Sequence, residues 1–378
     1  MIYLDYNATT PCDPEVVKAM LPYFTEKFGN ASSKTHPYGW VADEAVSKAR
    51  KQIASLINAS ESEIIFTSGS TEGCNLVLKG VFELYASKGK HIITCETEHK
   101  AVLDSCKHLE KMGAEISYLK VDKEGLINVS ELERTIRPDT VLIAIMYANN
   151  ETGVIQPITE IGAIAKKHKV LFFSDATQAV DKWKVDVVAD EIDLLAMSAH
   201  KFYGPKGIGA VYVRRKGPRA NLIAQIDGGG HERGFRSGTL NVTGIVGMGT
   251  AAAICERQME TEALRLGELR NKLEKGLLSL GEVNINGNIS TRMPHVSNLS
   301  FQGFSAERFI SLMNSEVAFS VGSACTSASK EPSHVLTAMG LSENSVKGSI
   351  RLSLGRFTTE EEIRATIQIF NKTIEKIQ

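Results

Sequence analysis

Between residues 60 and 215, short β-branched and apolar runs alternate with stretches of helical periodicity. The runs are EIIFT at 63–67, HIIT at 91–94, TVLIAIMYA at 140–148, VLFFSDA at 170–176, DLLAMSAH at 193–200 and GAVYVRR at 209–215. Their apolar residues are consecutive, not alternate, so each strand must be covered on both faces. The pattern predicts an α/β fold with a mainly parallel central sheet flanked by helices. In such sheets ligands gather beyond the carboxyl ends of the strands. The search for chemistry therefore begins at Ser68 to Glu72, Glu98 and His99, Asn149 to Glu151, Asp175 to Gln178, and Ser198 to Lys201.

After Gly230 the rhythm changes. A long amphipathic helix is predicted from about Ile245 to Leu280, then strands at 295–302 and 349–355 with helices at 306–314 and over the closing TTEEEIRATIQIFNKTIEKI. This mixture reads as a smaller α+β domain. The expected division is 15–255 for a large domain, with 1–14 and 256–378 forming the small one. Met1 to Pro14 is expected to pack against the small domain.

A chain of 378 residues suits two domains, since one domain runs to roughly 100–200 residues. Lys plus Arg (43) nearly cancels Asp plus Glu (44), so no global basic field exists to hold nucleic acid directly. No segment is long and apolar enough to cross a bilayer, and MIYLDYNATTPCDPEVV lacks the basic and then apolar run of a secretory signal. A cytoplasmic protein is expected. The six cysteines are scattered without a CxxC pair or metal-enclosing spacing, so neither a disulphide framework nor a metal site is expected. All but Cys325 read as small buried hydrophobes.

Lys201, in SAHKFYGPKGIG, stands where a buried strand gives way to a turn rich in Gly and Pro. An amine partly withdrawn from water near other positive groups has a lowered pKa, as Schiff-base formation with an aldehyde requires. Asp175 closes the preceding strand in FFSDATQAV. A carboxylate there can pair with a protonated pyridine nitrogen and keep that ring an electron sink, the requirement of pyridoxal phosphate (PLP) chemistry. TSGSTEG at 67–73 runs a strand into small residues whose backbone N–H groups open a helix, an arrangement that binds phosphate. Ser70 and Thr71 add hydroxyl donors, while Ser198 and His200 are placed to close the other side. His99 follows the strand HIIT, where an imidazole can lie over a ring and shuttle protons. Asn150, Glu151 and Gln178 follow strands in the same layer. Taken singly, the lysine also reads as a surface residue, Asp175 and His99 as helix caps, and the Gly/Ser turn as a turn only.

Two further residues lie in the second half. Cys325 stands in VGSACTSASKEPSHVL, a run of small polar residues that cannot fill a core and favours a mobile loop. A thiol there can swing between cofactor and acceptor. Arg351, in SIRLSLGR, has the planar fork suited to a carboxylate, and reads equally as one half of an ion pair.

These motifs, from LDYNATTP and FGNASS through SGSTEG, TEH, NNETG, SDATQ, SAHKFYGPKG and GGGHERGFRSGT to GSACTSAS and IRLSLGRFTTEEEI, resemble those of the cysteine desulfurases. That family belongs to the aspartate-aminotransferase-like superfamily, PLP fold type I. The SACTS wording resembles the class I branch, which serves iron–sulphur cluster and thiolated-tRNA assembly. The resemblance implies conversion of L-cysteine to L-alanine with sulphur held as a persulphide on Cys325. It implies Lys201 as the Schiff-base lysine, Asp175 on the pyridine nitrogen, Gln178 on the ring hydroxyl, and Thr71, Ser198 and His200 on the phosphate. Thr239 of RSGT would arrive from the second subunit of a homodimer. His99 would stack on the ring, Asn150 would touch cofactor or substrate, and Arg351 would hold the cysteine carboxylate. The implied partners are an iron–sulphur scaffold protein or a tRNA-thiolation sulphur acceptor. Cys325 is also a candidate transient iron–sulphur ligand.

Two positions depart from the family pattern: Ala31 stands where proline is usual, and Cys74 replaces a polar residue after the phosphate turn, putting a second thiol near the site. The sequence stops at Gln378, without the tail that housekeeping members use to dock their scaffold. Competing readings are a selenocysteine lyase or another PLP-dependent lyase or aminotransferase of the same fold, and a binding partner of a cluster scaffold whose sulphur chemistry is secondary.

Overall fold

The computed structural model describes residues 1–217, 219–321 and 332–377. The chain enters through β1 (Ile2–Tyr3) and then builds β2 (Ile64–Thr67), β3 (His91–Cys95), β4 (Glu115–Leu119), β5 (Thr140–Ala144), β6 (Leu171–Asp175), β7 (Leu194–Ser198) and β8 (Gly209–Val213). From β2 to β8 these form one seven-stranded sheet in the order β2-β8-β7-β6-β5-β3-β4. The pairs from β7 across to β4 are parallel, whereas β8 runs antiparallel to both β7 and β2. The mainly parallel sheet expected from the apolar runs is therefore present. One face packs on the helices Pro37–Leu56 and Ile158–His168, through Ile53 and Ile161. The other packs on Ser70–Tyr85 and Lys100–Lys111, through Leu78 and Val102.

Two details differ from the apolar pattern. EISYL was not among the expected strands, because at the sheet edge its first four residues are only partly covered and its composition is mixed. The run TVLIAIMYA leaves the ladder after Ala144. Its last residues stay buried in an irregular path, with the Met146 N–H donating to Glu98 Oε1 at 2.6 Å.

The second half adds β9 (Val283–Ile285), β10 (Val296–Phe301), β11 (Val317–Ala318), β12 (Ser320–Val321) and β13 (Ser349–Ser353). An antiparallel sheet runs β12-β13-β10-β9, and β1 pairs parallel with β11. A separate core fills behind it, where Phe301 stacks on Phe370 with centroids 5.7 Å apart. The helix Val242–Leu278, about 55 Å long at 1.5 Å per residue, passes unbroken from one core to the other. Met248 and Cys255 join the first core, and Leu266 to Leu277 the second.

The N-terminal segment serves both halves. Leu4 lies in the second core, but from Asn7 onward the chain lies along the large sheet, with the Thr10 N–H on the His200 carbonyl and the Asp13 N–H on the Tyr203 carbonyl. Its polar backbone thereby reaches the strand ends where ligands collect.

Candidate active site

Asp175 is the last residue of β6, and Lys201 follows the end of β7 by three residues. Because β6 and β7 pair in parallel, with Asp175 opposite Ala196, both side chains emerge at the same sheet edge. They line one cavity of about 270 Å³ together with Ser70, Thr71, His99, Asn150, Gln178, His200 and Arg351. Lys201 Nζ donates to the backbone carbonyls of Asn7 (2.6 Å) and Ala8 (2.8 Å). Asp175 is 6 % exposed, and its Oδ1 accepts from both the backbone N–H and the hydroxyl of Thr177. Oδ2 thus retains acceptor capacity for a cationic N–H.

A second cavity of about 400 Å³ shares Ser70, Thr71 and His200 with the first and adds Ser198 and Lys206. Ser70 opens a 16-residue helix whose N-cap, Gly69, provides no side-chain hydrogen bond. The first N–H groups of that helix are available to an anion, and its dipole favours one. Gly209 lets β8 approach this turn: a Cβ there would come within 2.6 Å of the Gly69 Cα. His200 meets Thr9 Oγ1 through Nδ1 at 3.1 Å. Burial, then the positive charges of Lys201 and Lys206, push its pKa down to about 4, so the ring is neutral near pH 7.

His99 caps the helix Lys100–Lys111, its Nδ1 accepting the Ala101 N–H at 3.1 Å. In the neutral ring the proton is therefore on Nε2. Gln178 Nε2 donates to the Asn7 carbonyl at 3.1 Å. Arg351 comes from the middle of β13, on the other sheet, and donates to the Asn150 carbonyl (2.9 Å) and to Asp5 Oδ1 (2.7 Å). With five N–H donors and two used, the guanidinium keeps capacity for a carboxylate. An anion cradle, a buried carboxylate and an amine in two adjoining cavities form a donor set that fits PLP.

The class-V aminotransferase family matches residues 2–366. The chain is 52% identical over 378 residues to a cysteine desulfurase IscS of Anaeromyxobacter dehalogenans, covering 100% of this chain and 93% of that relative. A cysteine desulfurase IscS of Neisseria meningitidis is 52% identical over 377 residues, with the same coverage. A solved structure titled NifS-like protein superposes with a TM-score of 0.93 at 37% identity, over 99% of each chain. The chain belongs to the cysteine desulfurases of the class-V aminotransferase family.

Thr239 is exposed and lines neither cavity. Cys325 lies outside the described residues, but both flanks of its segment are tied to the site. On one side Ser320 Oγ donates to Asp5 Oδ1 at 2.8 Å, the same oxygen that holds Arg351. On the other, Ser333 Oγ donates to Glu151 Oε2 at 2.5 Å, and His334 Nε2 meets the Glu98 carbonyl at 3.0 Å.

Cys74 is fully buried, with Sγ 3.7 Å from Asp175 Oδ2. Burial, then the Asp175 charge, pushes its pKa well up, so it is a neutral thiol facing a carboxylate and not a second nucleophile. Reasoning from strand ends missed Asp5, Asn7 and Ala8, and gave Thr177, inside the stretch Asp175 to Gln178, no role of its own. Asn7 and Ala8 act through backbone carbonyls, which leave no mark in side-chain chemistry, although the motif LDYNATTP marks their segment.

Proposed function

We propose that this cysteine desulfurase converts L-cysteine to L-alanine and holds the sulphur as a persulphide on Cys325, for delivery to iron–sulphur cluster assembly or tRNA thiolation. One observation carries the reading: Lys201, Asp175 and Arg351, drawn from two different sheets, line a single cavity. PLP would sit with its phosphate at Ser70, Thr71, Ser198 and His200, its ring nitrogen at Asp175, its hydroxyl at Gln178 and His99 over the ring. Bound there, it supplies an electron sink that weakens the substrate's Cα–H and then its Cβ–S bond.

The protein's own groups do the rest. Arg351 takes the substrate carboxylate with the donors it has left, which sets the α-carbon near Lys201. The Lys201 amine, as the free base, would remove the α-proton. The Cys325 thiolate attacks the substrate sulphur: an S–S bond forms, the Cβ–S bond breaks, and its electron pair passes to the carbon. His99, whose Nε2 carries the proton, and Lys201 return protons to the carbon skeleton, and alanine leaves. Cysteine plus enzyme thiol thus becomes alanine plus enzyme persulphide, with no outside oxidant.

A homodimer suits the reading, because Leu21, Phe24, Phe28, Tyr38 and Trp40 are exposed apolar side chains that a second copy would cover, and because Thr239 is exposed and lines neither cavity of its own subunit. The proposed division into 15–255 and 1–14 with 256–378 draws support from the two separate cores, except that residues 7–14 lie along the large sheet. Among the described residues no helix is long and apolar enough to cross a membrane. The cytoplasm is the proposed compartment, in keeping with five described cysteines that are all unpaired. The test is alanine release by the PLP-loaded protein from cysteine, selenocysteine and cysteine sulphinate. Cysteine should be turned over with sulphide or persulphide in step. Turnover of selenocysteine or sulphinate with none of cysteine would assign the site to a different lyase.

A further inference from the structure

We propose that His295 is a positioning residue: by holding Asn7 it fixes the two backbone carbonyls that receive the Lys201 amine. The proposal rests on the assignment of Lys201 above. Asn7 is a junction at which every polar group is engaged. Its carbonyl accepts from Lys201 Nζ and Gln178 Nε2, and the adjoining Ala8 carbonyl is the second acceptor for Lys201. Its N–H donates to Ser353 Oγ at 2.9 Å, its Nδ2 to the Asn150 carbonyl at 3.0 Å, and its Oδ1 faces His295 Nε2 at 2.8 Å.

The direction of the last bond follows from the others. Nδ2 is fixed as a donor by the Asn150 carbonyl, so Oδ1 must accept, and His295 must carry its proton on Nε2. Nδ1 is then a bare lone pair, which agrees with its lack of a partner among the described residues. His295 is 2 % exposed, and burial together with Lys182, Arg270 and Arg351 keeps the ring neutral by lowering its pKa well below 6.5. A buried imidazole with one idle nitrogen is a poor device for stability alone, since an apolar side chain would fill the space without the desolvation loss. What it adds is direction. His295 precedes β10 and Ser353 ends β13, so the four-stranded sheet grips Asn7 from one side while Asn150, Gln178 and Lys201 meet it from the other.

The same junction reaches the substrate end. The Asn150 carbonyl that receives Asn7 Nδ2 also receives Arg351. Asn7 thereby sets a common reference for the amine that moves the α-proton and the guanidinium that takes the carboxylate. Two carbonyls in hydrogen-bond contact favour the ammonium form of Lys201, so loosening them should lower its pKa.

The experiment measures the pH dependence of dinitrophenylation of Lys201, read by mass spectrometry, in the full chain stripped of PLP. The variants are His295→Leu, which fills the space without a donor, and His295→Gln, whose amide can donate to Asn7. The labelling midpoint should fall by about 0.5–1 unit in His295→Leu and return toward wild type in His295→Gln. Asn7→Ala should show the same fall, and the double variant His295→Leu with Asn7→Ala no more than either alone. If His295→Leu does not fold, the Asn7→Ala midpoint decides. An unchanged midpoint, equal effects of Leu and Gln, or additive effects in the double variant would each overturn the proposal. Because labelling needs neither PLP nor cysteine, a chain that failed as a desulfurase would still report on this junction.

Discussion

The two sheets reach the same cavity by different routes. The seven-stranded sheet presents side chains from the segments just beyond its strands: Ser70 and Thr71 after β2, His99 after β3, Asn150 after β5, Gln178 after β6 and Lys201 after β7. The four-stranded sheet presents Arg351 from the middle of a fully buried strand, held by Asp5 and the Asn150 carbonyl. Groups on segments beyond a strand can take up and release protons with little change in the scaffold. A guanidinium locked in a strand can only hold. On the proposed function, bond making falls to the first sheet and substrate orientation to the second.

The largest effect that would break this division is expected at Lys201. Replacing it with Ala should lower kcat for alanine formation by about 10³-fold or more, the scale of a lost acid–base group, and abolish the visible absorbance of lysine-bound PLP. Retention of that band with activity would remove Lys201 from the chemistry. Next comes Arg351→Ala, which should raise KM for cysteine about 10- to 100-fold, the range of hydrogen bonds to a charged group. Arg351→Lys should recover little, since an ammonium cannot span Asp5, Asn150 and a carboxylate together. A fall in kcat with KM unchanged would contradict the division of labour.

Smaller effects sharpen the first sheet's part. Cys74→Ala removes the weak donor behind Asp175 Oδ2 and should loosen PLP about fivefold, one modest hydrogen bond, whereas Cys74→Ser should restore it. Equal loosening in both variants would mean that the thiol merely fills space. The smallest effect is on stability against pH. The unfolded chain protonates His200 near 6.5 and the folded protein only near 4. Its contribution is therefore complete above 6.5 and drains away as pH falls toward 4. Glu151 has the opposite sign: burial raises its pKa from 4.5 to about 7, so its contribution is complete below 4.5 and lost as pH rises through 7. Urea midpoints of PLP-free His200→Asn and Glu151→Gln, each compared with the parent across pH 4–8, should diverge from it in opposite halves of that range.

The sheet was legible because buried parallel strands read as unbroken apolar runs, and the polar stretches after five of them all contribute residues to the cavity. β4 was not legible, because an edge strand with partial cover has no such run. The N-terminal segment was read as part of the smaller half; Leu4 lies in the second core, but Asn7 and Ala8 cross to the amine. Nothing in one segment announces that its carbonyls face a lysine far along the chain, since that meeting exists only after both sheets have packed. Cys74 was legible as an anomaly but not as a buried neutral thiol, a property that depends on the Asp175 carboxylate beside it and on complete exclusion of water.

The central claim is that sulphur leaves the substrate onto Cys325. Its most direct test is a single turnover of the PLP-loaded protein with one equivalent of cysteine, followed by alanine quantification and peptide mass mapping under non-reducing conditions. The account predicts one alanine per added sulphur, with that sulphur on the peptide containing Cys325 and none appearing in Cys325→Ser. Alanine formed at the wild-type rate in Cys325→Ser, or the added sulphur found on another cysteine, would contradict it.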